Sequence, residues 1–316
     1  MSSGEVILSG EILPAADPAA PAMREEDREA LRRAVLALER PGLAARLTAA
    51  AGAPIEMLGR SLPAPIMEAV AKSTEVALRG AIRVALATLP KNEPAAAGAD
   101  GHAVAVPQPK AESRLNRLFG SAETKHKALA ALSGAVGGAF GIATVAVELP
   151  VSTTIMLRSI AEIAREEGED IETAEGALSC IQVFALGGGK LAMSGETGAA
   201  LTESGYFAVR AALAKTMAEA TRYAGSIALL DQSSSALVRF ASQVAARFGI
   251  VVSEKVAAQA VPILGAVGGA AVNTAFMNHF QSTARAHFIV RRLERTYGAP
   301  AVRAAYEIEK AALGPA

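Results

Sequence analysis

Tryptophan is absent from the 316 residues, aromatic side chains make up 4%, and one cysteine, Cys180, stands alone. Each scarcity excludes something. A single thiol rules out an internal disulfide and any thiolate cage for a metal, and predicts a buried structural cysteine. So few rings leave no platform on which nucleic-acid bases stack. Charge of one sign is missing too: 31 basic and 31 acidic residues cancel, so no net field draws the chain to a polyanion. Strand-like alternation is almost missing, which points to an all-α fold. Residues 1–23 have neither the basic start nor the continuous apolar run of a secretory signal, and a cytoplasmic, reducing compartment is the expectation.

What is present is small and apolar. Hydrophobic residues reach 51%, and the six residues Gly134-Ala135-Val136-Gly137-Gly138-Ala139 recur unchanged from Gly265 to Ala270. Glycines three and four apart make a smooth strip along a helix, where another backbone can approach closely. Gly134, Gly137, Gly138 and Gly141, with Gly265, Gly268 and Gly269, therefore predict two close-packing core helices in a multi-helix bundle. Both strips lie in uncharged runs, 128–147 and 257–277, as long as a membrane span. Both are diluted by Gly, Ala, Ser and Thr, and the second holds Gln259, Pro262 and Asn273. Buried helices of a bundle fit these compositions at least as well as insertion does.

The chain divides into four parts. Residues 1–23 read as a disordered Ala/Pro-rich leader with two apolar patches, Val6-Ile7-Leu8 and Ile12-Leu13. Residues 24–90 form an N-terminal helical segment that packs on the core, with helices over 24–39 and 65–89. Residues 91–112 are a flexible linker, and 113–316 are the helical core. Within the core, a first glycine helix runs over 115–148 and Pro150 opens the next, which Gly168 ends near 167. Asp170 caps a helix that stops at Gly187-Gly188-Gly189. Thr202 or Ser204 starts one that reaches 224. A helix over 233–248 is closed by Gly249, and another covers 250–260. The second glycine helix spans 263–297, Gly298 ends it, and Pro300 opens a short last helix.

Counting faces at 100° per residue places polar groups at the ends of both strips. Glu148 shares a face with Gly134, Gly138, Gly141 and Val145. Gly269, Phe276, Phe280, His287 and Glu294 share another, with Asn273 beside it. If the strips pack in parallel, Glu148 lies about 15 Å beyond the contact and faces His279; if antiparallel, it faces Glu254 and Lys255. Glu148, Arg158, Asn273, His279, His287 and Glu294 thus form a candidate polar site. Glu148 as an anchor for backbone amides or Arg158, and His287 as a satisfied core histidine, are the competing structural readings. No His-x-x-x-His or Glu-x-x-His spacing accompanies them, so no metal and no cofactor are expected. Gly187-Gly188-Gly189-Lys190 is half of a phosphate loop, with Phe184 where its leading Gly belongs and Leu191 where its hydroxyl belongs. Ser233-Ser234-Ser235 has no histidine or nucleophile elbow near it and reads as a helix start. Arg285, Arg291, Arg292, Arg295 and Arg303, interleaved with Phe288, Ile289, Val290 and Leu293, fit a helix lying on anionic lipid or an ordinary solvated rim.

Two motif blocks carry a resemblance. The run from Glu148-Leu149-Pro150-Val151-Ser152-Thr153-Thr154 through Leu157-Arg158-Ser159-Ile160-Ala161-Glu162-Ile163-Ala164 to Gly168-Glu169-Asp170 resembles the central motif of the EcsC protein family. Pro262, the second glycine patch, Asn273, His287-Phe288, Arg292-Leu293-Glu294-Arg295 and Tyr297-Gly298 resemble its C-terminal block. The resemblance spans roughly 24–313. It implies a bacterial, hydrophobic, helical protein and a membrane-associated accessory role beside an ATP-driven transporter, and it carries no catalytic residue. The leading expectation is a non-enzymatic accessory or regulatory protein at the inner face of the membrane, peripheral to it, with no nucleic-acid partner. The alternative is an enzyme or small-ligand binder with a polar site around Glu148 and His287.

Overall fold

The computed structural model describes residues 7–8, 11–12, 23–39, 43, 47, 55–87, 145–188, 205–224, 235–259 and 265–314. Over these the fold is all-α. The helices are α1 (Glu25–Glu39), α2 (Ile55–Arg60), α3 (Ala64–Ala87), α4 (Val145–Glu166), α5 (Ala174–Leu186), α6 (Gly205–Ala224), α7 (Ser235–Gln259), α8 (Gly265–Tyr297) and α9 (Ala299–Ala312). A two-residue antiparallel pairing, Ile7 opposite Ile12 and Leu8 opposite Glu11, joins the two apolar patches expected in an unstructured leader. The first glycine strip and the linker at 91–112 lie outside the described residues.

The centre is α5. Every residue from Gly176 to Ala185 is buried, and α3, α4, α6, α7 and α8 all touch the helix. A helix apolar all round is stable only where neighbours cover every side. Leu178, Ile181, Val183 and Phe184 have no exposed surface, each contributing roughly 1.5–3 kcal/mol on burial. Phe184 meets Phe248 of α7 and Phe280 of α8 at ring centroids 4.9 and 5.6 Å apart. Cys180 is among these buried residues, as expected, and burial pushes its thiol up to about 12. A second apolar cluster joins α1 (Leu31, Val35), the start of α6 (Tyr206, Phe207), the last turns of α8 (Val290, Leu293) and α9 (Val302, Tyr306).

Helix ends follow local chemistry closely. Gly168 takes φ 70°, Glu169 N–H donates to Ala164 O (2.8 Å) and Gly168 N–H to Arg165 O (3.0 Å), so α4 ends in a Schellman motif. Gly298 ends α8 at φ 85°, and Pro300 lies in the first turn of α9.

Three expectations fail, each for a physical reason. Pro150 does not open a helix; α4, Val145–Glu166, runs through it. Proline inside a helix forfeits one hydrogen bond, and the buried residues beyond it, Ser152 to Thr153 and Met156 to Leu157, hold the register. Asp170 is not the cap of α5: its carboxylate accepts from Glu172 N–H in an Asx turn, and Thr173 Oγ1 caps Gly176 N–H at 3.1 Å. Gly249 does not close a helix, because α7 is continuous from Ser235 to Gln259. Burial of Phe248, Val251 and Val252 on either side outweighs the roughly 1 kcal/mol that a helical glycine costs.

Candidate functional site

Most of the polar side chains singled out by the sequence fold into three separate assemblies on α8. Partners on α4 and α8 rise together in number, Ser159 with Gln281 (2.8 Å) and Glu166 with Arg285 (3.2 Å), so the two helices run in the same sense.

Nearest the start of α8 is an ion pair. Lys255 Nζ of α7 donates to Glu148 Oε1 of α4 at 2.7 Å, with 4% and 7% of the two side chains exposed. The ammonium also lies 5.0 Å from the centroid of Phe276 on α8. Burial lowers the Lys255 basicity, and the charge and hydrogen bond of Glu148 oppose that shift. Of the two neighbourhoods expected for Glu148, the one holding Lys255 is therefore found, but Lys255 comes from α7 while α4 and α8 lie in the same sense. One turn beyond Phe276, His279 Nε2 lies 2.6 Å from the carbonyl of Gly187, the residue that ends α5. A Cβ on Gly187 would sit 2.5 Å from the Phe280 ring. Gly187 is thus a point where α8 closes on the end of α5, and its place in a half phosphate loop is incidental.

Two turns on, His287 is fully buried. Its Nδ1 lies 2.9 Å from Tyr206 Oη, and Nε2 has no hydrogen-bond partner among the described residues. Arg210 Nη1 donates to the same phenol oxygen at 3.4 Å and grips Glu294 with two bonds of 2.7 and 2.9 Å. With its oxygen receiving Arg210, the phenol proton points at Nδ1, which assigns the neutral imidazole its proton on Nε2. Burial, then the charges of Arg210 and Arg291, hold the His287 pKa well below its usual value.

The third assembly takes four of the five arginines of the basic arm, while Arg303 lies 5.6 Å from the centroid of the Phe207 ring. Arg291 bonds Glu169 at 2.6 and 3.1 Å and Glu175 at 3.0 Å; Arg295 also bonds Glu169. Arg292 links Glu167 and Asp27, each at 3.0 Å, and Arg285 meets Glu166. Burial pulls the Glu169 carboxyl upward, but the bonds and charges of Arg291 and Arg295 outweigh it and leave it below the usual range. Asp27 is held down to about 2, first by the Tyr297 hydroxyl at 2.7 Å and then by Arg292 and Arg24. The arm's charge is thus compensated within the protein by α1 and the α4–α5 turn.

A sequence model of the EcsC protein family matches residues 25–293. The chain belongs to the EcsC protein family. No curated protein and no solved structure matches it. In this EcsC chain the two motif blocks meet in space: Glu167 and Glu169 of the first bind Arg291, Arg292 and Arg295 of the second.

The candidate residues do not converge. Glu148 and His279 have different partners, His287 and Glu294 join the Tyr206–Arg210 assembly, and Arg158 is exposed. Asn273 is buried one turn before Phe276 and Met277. Tyr206 and Arg210 were not singled out by sequence reasoning; the one signal was an arginine closing the apolar run Tyr206-Phe207-Ala208-Val209. Among the described residues no group of three His, Cys, Asp or Glu side chains is arranged to hold a metal ion.

Proposed function

We propose that this EcsC-family protein is a non-enzymatic helical accessory or regulatory protein at the inner face of the bacterial membrane, with an ATP-driven transporter as the class of partner that the family resemblance implies. One observation carries the non-catalytic part. The acid/base side chains that sequence offered for chemistry are engaged in holding helices together, Glu148 with Lys255, His279 with the Gly187 carbonyl, His287 with Tyr206 and Glu294 with Arg210. A general acid or base must instead be free to exchange its proton with a substrate. The membrane part draws support from α7, the one described helix long and apolar enough to cross a bilayer, and from large apolar side chains left in solvent on α2 and α3. Since α2, α3, α5, α6 and α8 all pack on α7, peripheral attachment is the form proposed. Fractionation of bacterial cells tests it. The protein should sediment with membranes and be released by carbonate without detergent, and recovery wholly in the soluble fraction overturns the reading.

A second reading has one observation in its favour. Lys255 is a buried lysine of lowered basicity beside a carboxylate, the setting in which lysines serve as bases or form imines with carbonyl compounds. Borohydride treatment in the presence of small aldehydes and ketones should then fix a label on Lys255. An unlabelled Lys255 removes that chemistry.

A further inference from the structure

Four large apolar side chains of α2, α3 and α7 stand out in solvent. Met57 is 67% exposed, Leu58 and Met67 39%, and Ile250 38%. They gather around a single turn of α7. Gly59, which follows Leu58, abuts that turn so closely that a Cβ there would lie 3.5 Å from Glu254 Cα. Met67 Sδ is 3.8 Å from Ser253 Oγ. Ile250 precedes Ser253 by three residues and is its neighbour on the helix surface. Two of the four are methionines, whose unbranched chains adapt to soft or variable surfaces.

A second observation lies beside them. Arg247 comes three residues before Ile250, so the two side chains share a strip of α7. Its Nε is buried with no hydrogen-bond partner, and burial alone, with no carboxylate opposing it, lowers the guanidinium pKa. Arg210, Arg291, Arg292 and Arg295 each have a carboxylate within 3.0 Å. Arg247 is a cation that the fold holds next to an apolar patch, with no counter-charge among the described residues.

We propose that the α2–α3–α7 face, with Met57, Leu58, Met67, Ile250 and Arg247, is the surface that docks on an anionic lipid bilayer. The apolar side chains enter the acyl boundary, and Arg247 takes a headgroup phosphate, for which a planar guanidinium is well shaped. Side chains that stand out from the protein, as Met57 does, suit a deformable layer better than a peptide, which docks in a cleft. The assignment rests on the membrane-associated reading above and names the face that carries it.

The test uses the full chain and sedimentation with vesicles, either phosphatidylcholine alone or phosphatidylcholine with phosphatidylglycerol. Wild type should bind the phosphatidylglycerol vesicles more tightly. Met57→Gln with Ile250→Gln should weaken binding to both by more than about tenfold, since two large apolar side chains no longer gain from leaving water. Arg247→Gln should cost about fivefold on the anionic vesicles and nothing on the neutral ones. The substituted side chains are exposed or unpaired, and circular dichroism verifies that the variants fold. A polarity-sensitive fluorophore on Met57→Cys, with Cys180 buried and unlabelled, should shift to the blue on vesicles, while one on Ile308→Cys of α9 should not. If wild type binds and every variant binds equally, or the Ile308 probe alone shifts, the face is wrong and the membrane reading stands. If Arg247→Gln alone has no effect, the headgroup contact is wrong. If wild type binds neither kind of vesicle, both this face and the membrane reading fall.

Discussion

Three buried titratable side chains show what this bundle does with its polarity. Glu148 and Lys255 are both buried, so removing either leaves the other as an unpaired charge in an apolar core. Glu148→Gln or Lys255→Met alone should cost roughly 3–5 kcal/mol, whereas Glu148→Leu with Lys255→Met should be close to neutral, as chemical denaturation would show. A double variant as damaged as the singles would mean that the pair does more than neutralise itself. His287 makes a pH prediction of opposite form to a paired histidine. Its folded pKa lies well below the unfolded value near 6.5, so the unfolded chain binds the proton more readily. Stability should therefore be fully present above about pH 6.5 and fall as the pH drops toward the folded pKa, by up to about 1.4 kcal/mol per pH unit. Urea midpoints across that interval would show the slope. His287→Asn keeps an acceptor near Nδ1 without the titration and should flatten it.

At the scale of the element, glycines that look alike in sequence do opposite things. Gly176 sits under the turn before α5, where a Cβ would lie 2.0 Å from the Asp170 carbonyl oxygen. Gly176→Ala should cost more than about 2 kcal/mol, because backbone must move. Gly249 and Gly80 lie in α7 and α3 with nothing within 4 Å of the Cβ position. Alanine at either should raise stability by up to about 1 kcal/mol. Thermal midpoints of the three variants test the distinction, and a tolerated Gly176→Ala would contradict the packing described for the α4–α5 turn. Helix bounds were legible where caps are local, as at Gly168 and Gly298. They were not legible at Gly249 or Pro150, where side chains distant in sequence bury the flanking residues and override the local signal.

Across the whole molecule, α1 is joined to the rest through one small apolar cluster and two carboxylates, Asp27 and Glu39, the latter accepting from the Tyr306 hydroxyl of α9 at 3.0 Å. Asp27 accepts from Arg292 and from the Tyr297 hydroxyl, and Leu31 and Val35 fill the cluster with Val290, Leu293 and Tyr306. Since the Asp27 pKa is lowered on folding to about 2, its contribution should be present above about pH 4 and be lost as the pH falls toward 2. Asp27→Asn should loosen α1 at neutral pH without touching α5. Hydrogen exchange would then quicken in residues 25–39 and remain slow in residues 174–186, and uniform protection in both would show that the apolar cluster and Glu39 hold α1 without Asp27. This coupling also explains why the charge balance of the basic arm is not legible in one dimension. The spacing of Arg285, Arg291, Arg292 and Arg295 shows a charged helix face, but the neutralising Glu167, Glu169 and Asp27 lie more than a hundred positions away.

Composition and periodicity alone determined that this chain is all-α, where most of its helices lie, and that the face of α8 bearing Phe276, Phe280 and His287 is buried. These are local properties, set by side-chain spacing on a helix of fixed pitch. Only the tertiary structure decided which polar groups meet. Lys255 rather than a histidine takes Glu148, and Tyr206 and Arg210 claim His287 and Glu294, because partners so far apart in sequence are chosen by how helices dock. A charge in an apolar run announces that it needs a partner, and the docking of α4, α7 and α8 names it.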